Sequence, residues 1–588
     1  MKILKGMSFL PVLVVSVALV QSSPAQVGVG PLKVLTAGSS AQFGPFAVAA
    51  WELATAGKVK AAHYTLKTSV CPGASCYVYL NDSRKVGTNA VPPEPANLWV
   101  AWSANGIWAY LSVDSTVGVR AFSAVPRATA AFDALASLPV CPATCQTAGA
   151  NTNYPYWPDG GLADTALPLA VYNALNGVAL TAANTDIRPE DALYATNRAL
   201  NSLGYGTVAD PRTGHAGQFL IGKPIISHYT STAVANPVSF AIAGGADPMS
   251  GMTGPAEITL PIGAAPIVFI ANTLTGSTVA GASNITTANA GLLFSGGSSP
   301  ACGAQLVTGA TGAIDPVLRE PLSGTMNTTE FSVFRAGDPS GANSQENGVT
   351  TNPAAQPCGT GFRYRAVGTG DVANNVIASA NTLGYVFFSY EALKSGKTDR
   401  YLKLDGNDGI SGTYTTGALP NCPVVNGAYS CPIANGKSFP LLRSGKYTAW
   451  SIYRLVTDST HQANAQALVT QAQLSVNGNV PDFVPFIPVC GTAIGTTNDP
   501  GLDVYREHFI PNRNNVPATD ILTTPDTISI TPNDGSVGTT VTCKTVKGTY
   551  PALTLGGGTE AGGDVGGLIE GPFTANPPHP GPTEAAPH

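Results

Sequence analysis

Arg319, Ser323, Gly324 and Thr325 stand at a spacing, Arg-x-x-x-Ser-Gly-Thr, that suits the binding of an anion. An apolar strand-like lead, Pro316-Val317-Leu318, ends at the arginine. Ser-Gly-Thr then opens a segment with Met326, Thr329, Phe331 and Phe334 at roughly helical spacing. Free backbone N–H groups at a helix start, two hydroxyls, a glycine that lets backbone approach closely and a fixed guanidinium can all converge on one small tetrahedral oxyanion. Ser-Gly-Thr is equally ordinary helix-capping chemistry. Two further stretches bear on the choice.

The first is Ala37-Gly38-Ser39-Ser40-Ala41-Gln42-Phe43-Gly44-Pro45, which follows a short strand lead at Lys33 to Thr36. It precedes a helix expected over Phe46 to Ala56, with Pro45 near its first position. The second is Thr185-Asp186, after a strand expected over Val178 to Ala183. Behind it Pro189-Glu190-Asp191 opens a helix that carries Leu193, Leu200 and Leu203. By itself Asp186 is an ordinary solvated loop carboxylate.

These stretches sit in an α/β pattern. Leu167 to Leu175 reads as a helix, Ile258 to Asn272 holds a strongly apolar strand at Pro266 to Ala271, and Ile285 to Gly296 is a short capped helix. Val372 to Ala380 is a further helix, Leu383 to Phe388 a strand, and Phe439 to Leu455 a strand pair. Residues 57–150 differ, with alternating patterns at His63 to Val70, Cys76 to Leu80, Leu98 to Trp102 and Ile107 to Val113 that suggest an inserted β-rich elaboration. Residues 476–554 form a Pro/Thr/Asn-rich C-terminal extension, and 555–588 is a Gly/Pro tail with too few apolar residues to pack.

With 588 residues, 11% of them charged, 65 Gly and 47 Pro, the composition is loop-rich and can bury more than one lobe. A net charge of -5 argues against nucleic acid and requires any anion to be held by local geometry. Lys2, Lys5, the apolar run Phe9 to Val20 and Ser23-Pro24-Ala25 read as a signal peptide over 1–25. No later run is long and apolar enough for a membrane span, so a periplasmic or secreted location is expected. Ten cysteines agree with export: Cys71 with Cys76, Cys141 with Cys145 and Cys422 with Cys431 are near neighbours. Cys302 with Cys358 and Cys490 with Cys543 are expected to close longer loops, although spacing leaves connectivity open. No Cys or His pairs stand at zinc-finger spacing, so neither metal nor cofactor is expected.

In this order the stretches resemble the phosphate-binding protein of bacterial ABC phosphate uptake. Phe43 and Trp51 keep that family's spacing at the first helix, Thr185-Asp186 with Pro189-Glu190-Asp191 matches its Ser-Asp and acidic helix start, and Arg319, Ser323, Gly324 and Thr325 match its arginine motif in full. Gly384-Tyr385-Val386 is similar to the strand by which the family's chain re-enters its first lobe. Where the family has an Asp two residues after the arginine as ionic partner, this chain has Pro321, with Glu320 as the substitute. Leu322 replaces a Gly, and the nearest candidate for the family's Ser-Gly-Gly loop is Asp164-Thr165.

The resemblance implies a two-lobed, type II periplasmic-binding-protein-like fold, with 33–56, 151–265 and 369–475 as lobe 1 and 266–368 as lobe 2. It implies a monomer that captures inorganic phosphate or a related oxyanion for an ABC permease, without catalysis. The implied contacts are Ser39, Ser40, Gln42, Phe43, Thr185, Asp186, Arg319, Ser323, Gly324 and Thr325. Asp186 would accept the proton that phosphate retains and sulfate lacks. Two rivals remain: a scaffold repurposed for a structural or surface role, and a secreted phosphatase-like hydrolase. Against the hydrolase, the seven His residues are scattered, and neither His-Glu-x-x-His nor Gly-x-Ser-x-Gly occurs.

Overall fold

Leu32–Ser39 (β1) sends alternate side chains into two separate cores: Val34 joins one, while Leu35 and Ala37 join the other. Asn97–Ser103 (below, β3) does the same, with Trp99 and Ala101 in the first core and Leu98, Val100 and Trp102 in the second. A two-residue period with both faces apolar is what a strand covered on both sides requires. The computed structural model describes residues 27–66, 77–83, 85–86, 89–90, 93–139, 157, 166–187, 258–295, 302–319, 323–329, 333–334, 364–366, 368–393, 399–411, 417, 424–425, 428–429, 439–443, 447, 449–478 and 482–485.

After β1 come Phe43–Thr55 (α1), Ala61–Leu66 (β2), Asn97–Ser103 (β3), Gly106–Val113 (β4), Ser115–Ser123 (α2), Leu169–Leu175 (α3) and Ala182–Thr185 (β5). The chain continues through Ile258–Asn272 (β6), Asp315–Arg319 (β7), Gly324–Thr329 (α4), Tyr364–Ala366 (β8), Thr369–Ala378 (α5) and Thr382–Phe387 (β9). Trp450–Thr457 (β10), Gln462–Gly478 (α6) and Val484–Pro485 (β11) follow. The fold is mixed α/β around one large mixed sheet, ordered β8-β7-β9-β6-β10-β5-β1-β4-β3-β2, with β11 and Asp399–Tyr401 also paired to β6. Residues of α1 and α6 share the first core, and those of α2 and α3 the second, so helices cover both faces.

β6 decides where the loops meet. Its first part, Ile258 to Pro266, pairs antiparallel with β10, and Ile267 to Ala271 pairs antiparallel with β9. β1 is parallel to β4 and to β5, and β7 is parallel to β8 and to β9. Since β5 is antiparallel to β10, the β1 block runs with β6 while the β7 block runs against it. The C-terminal ends of the two parallel blocks therefore point toward each other across the middle of β6, the arrangement in which open α/β sheets place their sites.

Three expectations are corrected. Residues 57–150 are not wholly an insertion, because β2, β3 and β4 extend the main sheet directly beside β1, while Val78–Asn81, Glu94–Pro95 and Thr129–Phe132 form a separate small sheet. The reason is the two-sided apolar alternation of β3 and β4, which a one-sided insertion would not need. The stretch Phe439 to Leu455 is not a strand pair: Pro440–Arg443 forms a helical turn, as Pro at a first helical position allows, and only the later part is strand. Gly384-Tyr385-Val386 lies in β9, paired with β7 and the second part of β6, and not beside β1. The expected α1 begins at Phe43, so Pro45 falls in the first turn, where its missing N–H costs no bond.

Residues 482–485 pack against the large sheet. β11 pairs with Gly263 and Ala264, and a Cβ on Gly263 would lie 2.3 Å from the Val484 carbonyl oxygen and 2.4 Å from the Phe483 ring. Glycine is therefore required there for the two backbones to approach. Cys302 is buried and disulfide-bonded. The expected cysteine pairings reach residues outside the described ones, as do the signal peptide, the helix after Pro189, Asp164-Thr165, Glu320 to Leu322 and the tail.

Candidate functional site

Asp186, one residue beyond β5, is 2% exposed and forms the centre of the site. A one-way relay of donors reaches its carboxylate. Thr36 Oγ1 donates to Asn184 Oδ1 at 2.7 Å, and Asn184 Nδ2 donates to Gln42 Oε1 at 2.7 Å. Gln42 Nε2 then donates to the Thr185 carbonyl at 2.9 Å and to Asp186 Oδ1 at 3.2 Å. Each amide is oriented by the one before it, because an amide has its acceptor at one end and its donors at the other. The Asp186 backbone is fixed as well: its N–H donates to Ser115 Oγ at 3.3 Å, and its carbonyl accepts from Ser451 Oγ at 2.5 Å.

Burial pushes the Asp186 carboxyl up to about 6, against the pull of hydrogen bonds from Ser39, Gln42 and Ser115 and of the Arg319 charge. Tyr110 and Tyr453 are held well above the usual phenol range, first by burial and then by the Asp186 charge. Tyr110 also donates to the Ser39 carbonyl at 2.6 Å, which fixes the loop after β1.

Arg319 ends β7 and is 1% exposed. Its Nη2 donates to Asp114 Oδ1 at 2.9 Å, and its Nη1 donates to Thr325 Oγ1 at 3.1 Å. Among the described residues its ionic partner is Asp114, between β4 and α2; Glu320, the substitute expected from the sequence, lies outside them. Asp114-Ser115 repeats the pattern of the other loops, a strand running through polar residues into a helix start. In the sequence it lies within 57–150, whose alternating pattern suggests a β-rich insertion, and only the pairing of β4 with β1 brings it to the site.

Gly324 brings the β7 loop against the β5 loop. A Cβ there would lie 2.6 Å from Ser115 Oγ, 2.9 Å from Asp186 Cβ and 3.0 Å from Asp186 Oδ2. No other residue type leaves room for that approach. Ser323 does what the capping reading said: its Oγ accepts from the Met326 N–H at 3.2 Å, and its carbonyl accepts from the Asn327 N–H at 3.1 Å.

The other expected residues have these places. Ser40 Oγ accepts from the Thr369 N–H at 2.9 Å and donates to Thr369 Oγ1 at 3.2 Å, so it closes onto the first turn of α5. Thr185 Oγ1 donates to the Ile187 carbonyl at 2.7 Å in a tight turn. Phe43 packs edge-on against Tyr110 at 5.5 Å, and its carbonyl accepts from Trp99 Nε1, making it a wall. Ser39, Gln42, Asp186, Arg319, Gly324 and Thr325 therefore gather at one centre, while the hydroxyls of Ser40, Thr185 and Ser323 serve caps and turns. Asp114, Ser115, Asn184, Thr369 and Ser451 are the members that sequence reasoning missed. Among the described residues, no three His, Cys, Asp or Glu side chains gather as a metal-ion site. The centre offers hydroxyl and guanidinium donors beside a carboxylate acceptor, the mixture that holds a small, partly protonated anion.

No family model matches the chain, and no curated relative matches it. Among solved structures it is similar to a phosphate binding protein from Stenotrophomonas maltophilia, with 13% identity over 68% of this chain and 87% of that one at a TM-score of 0.29. It is also similar to an ABC-type phosphate transport receptor from Vibrio cholerae, with 11% identity over 39% and 72% at a TM-score of 0.23. For PstS from Borrelia burgdorferi the identity is 14% over 38% and 70%, at a TM-score of 0.22.

Proposed function

We propose that the protein is an extracytoplasmic, non-catalytic binder of a small tetrahedral oxyanion, inorganic phosphate first, held where two lobes meet over β6 and handed to an ABC permease. The observation that carries this reading is the meeting of Asp186 with Gly324, Ser115 and the Arg319 loop in a buried centre. A buried acceptor among donors discriminates by protonation: a ligand O–H satisfies Asp186, whereas a ligand without a proton leaves two negative oxygens face to face. Isothermal titration of the purified protein tests it. Phosphate is expected to bind at least about a hundredfold tighter than sulfate, and Asp186→Asn to narrow that gap. Equal affinities in the unaltered protein would remove the reading.

A second reading, a scaffold repurposed for a structural role, is favoured by one feature. Arg319, Ser40 and Gln42 already have partners within the chain. Thermal-shift measurements against phosphate, arsenate, sulfate and molybdate separate the two, because a bound anion raises apparent stability by mass action.

A further inference from the structure

The binding reading above leaves open which ionic form of the oxyanion the site takes, and the side chains bear on that. Arg319 comes from the end of β7 in one parallel block, and Asp114 follows β4 in the other, yet the two are 2.9 Å apart and both are buried. Asp186 is the second buried carboxylate of the centre, and Arg319 is the cation whose field acts on it. Among the described residues, the ionisable groups on the surrounding elements are Tyr110 on β4, Arg120 on α2, Asp371 on α5, Tyr385 on β9, whose hydroxyl accepts from the Arg319 N–H at 3.3 Å, Tyr453 and Arg454 on β10, and Asp482 beyond α6. Tyr110 and Tyr453 stay neutral, and Arg454 Nη1 donates to the Ile452 carbonyl at 2.8 Å.

Among the described residues, Asp114 is the carboxylate paired with Arg319, and Asp186 is the carboxylate within its field. In a buried site of low effective dielectric each further negative charge on the ligand is opposed by both carboxylates, while one ligand proton satisfies Asp186 in either ionic form. Resting on the oxyanion reading, we propose that Asp114, by pairing with Arg319 from the opposite block, is a specificity-determining residue that makes the site take the singly charged, doubly protonated form of a tetrahedral oxyanion in preference to the dianion. Asp114 offsets the charge that would otherwise favour the dianion, and Asp186 receives one of the two ligand protons.

The test is isothermal titration of the full chain with inorganic phosphate at constant ionic strength, from about pH 6 to about pH 9, for the unaltered protein and for Asp114→Asn. If the monoanion is the bound form, the apparent Kd of the unaltered protein rises about tenfold per pH unit above the second ionisation of phosphate, because the competent fraction falls by that factor. In Asp114→Asn the slope is expected to flatten as the full guanidinium charge becomes available to the dianion. A Kd that holds or falls with rising pH in the unaltered protein overturns the proposal, and so does an undiminished slope in a folded Asp114→Asn. The slope of the unaltered protein is decisive by itself if the variant fails to fold. Absence of any phosphate heat across the range would instead overturn the oxyanion reading on which the proposal rests.

Discussion

Gln42 Nε2 donates to Asp186 Oδ1 at 3.2 Å, joining the loop after β1 to the turn after β5. The bond favours the ionised carboxylate, since a donated hydrogen bond stabilises the charge that burial opposes. Replacing Gln42 by Leu is expected to raise the Asp186 pKa above its present value of about 6 and to move the acid limb of phosphate binding to higher pH. Titration of affinity against pH checks this, and a limb that stays in place would show that Gln42 only fills space.

Asp186 also makes the unliganded protein sensitive to pH. Its folded pKa of about 6 lies above the ordinary value of an exposed Asp carboxyl, about 3.9, so the folded state binds more protons between those two values. Stability therefore falls as pH rises through that window, by up to roughly 3 kcal/mol from this group. Asp482, pushed by burial to about 7, acts in the same direction over a slightly wider range. Asp186→Asn is expected to flatten the decline between about pH 4 and about pH 6 and to raise the melting temperature at neutral pH. Calorimetry without ligand measures both.

Gly324→Ala places a Cβ 2.6 Å from Ser115 Oγ and 2.9 Å from Asp186 Cβ. The two loops must separate, at a cost of about 1–3 kcal/mol. Anion affinity is expected to drop by about tenfold to a hundredfold with a smaller change in global stability, because the clash lies between loops and not in the core. Parallel titration and chemical unfolding distinguish the two effects.

Gly263→Ala meets Val484 and Phe483 instead. It is expected to dislodge residues 482–485 from β6, releasing Asp482 from the Tyr390 N–H that it accepts at 2.6 Å. Loss of about 1–3 kcal/mol with accelerated proteolysis after α6 would be the signature, and unchanged cleavage would contradict the packing role.

Much of this was legible in the chain. The apolar strand expected at Pro266 to Ala271 is the second part of β6, while its first part, from Ile258, carries Gly263, Ala264 and Ala265 and gave a weaker signal. The strand ending at Arg319 and the helix opening at Gly324 followed from the arginine motif and the capping residues. Asp114 was not legible. It lies 205 residues from Arg319 in sequence, and an Asp before a helix start is ordinary capping chemistry until the fold supplies its partner. Nor could spacing reveal that Ser40 would close onto Thr369, since pairs of that kind depend on how two strand blocks face each other.

β6 has a consequence for any attempt to dismantle the molecule. One continuous run of backbone supplies an inner strand to both blocks, so there is no seam at which they could be cut and produced as independent fragments. Whichever fragment lost β6 would carry a long, apolar, unpaired border, β10 in one case and β9 in the other, and such a border recruits foreign strands. Complementation from two separately expressed halves should therefore demand co-expression, with aggregation as the fate of either half alone.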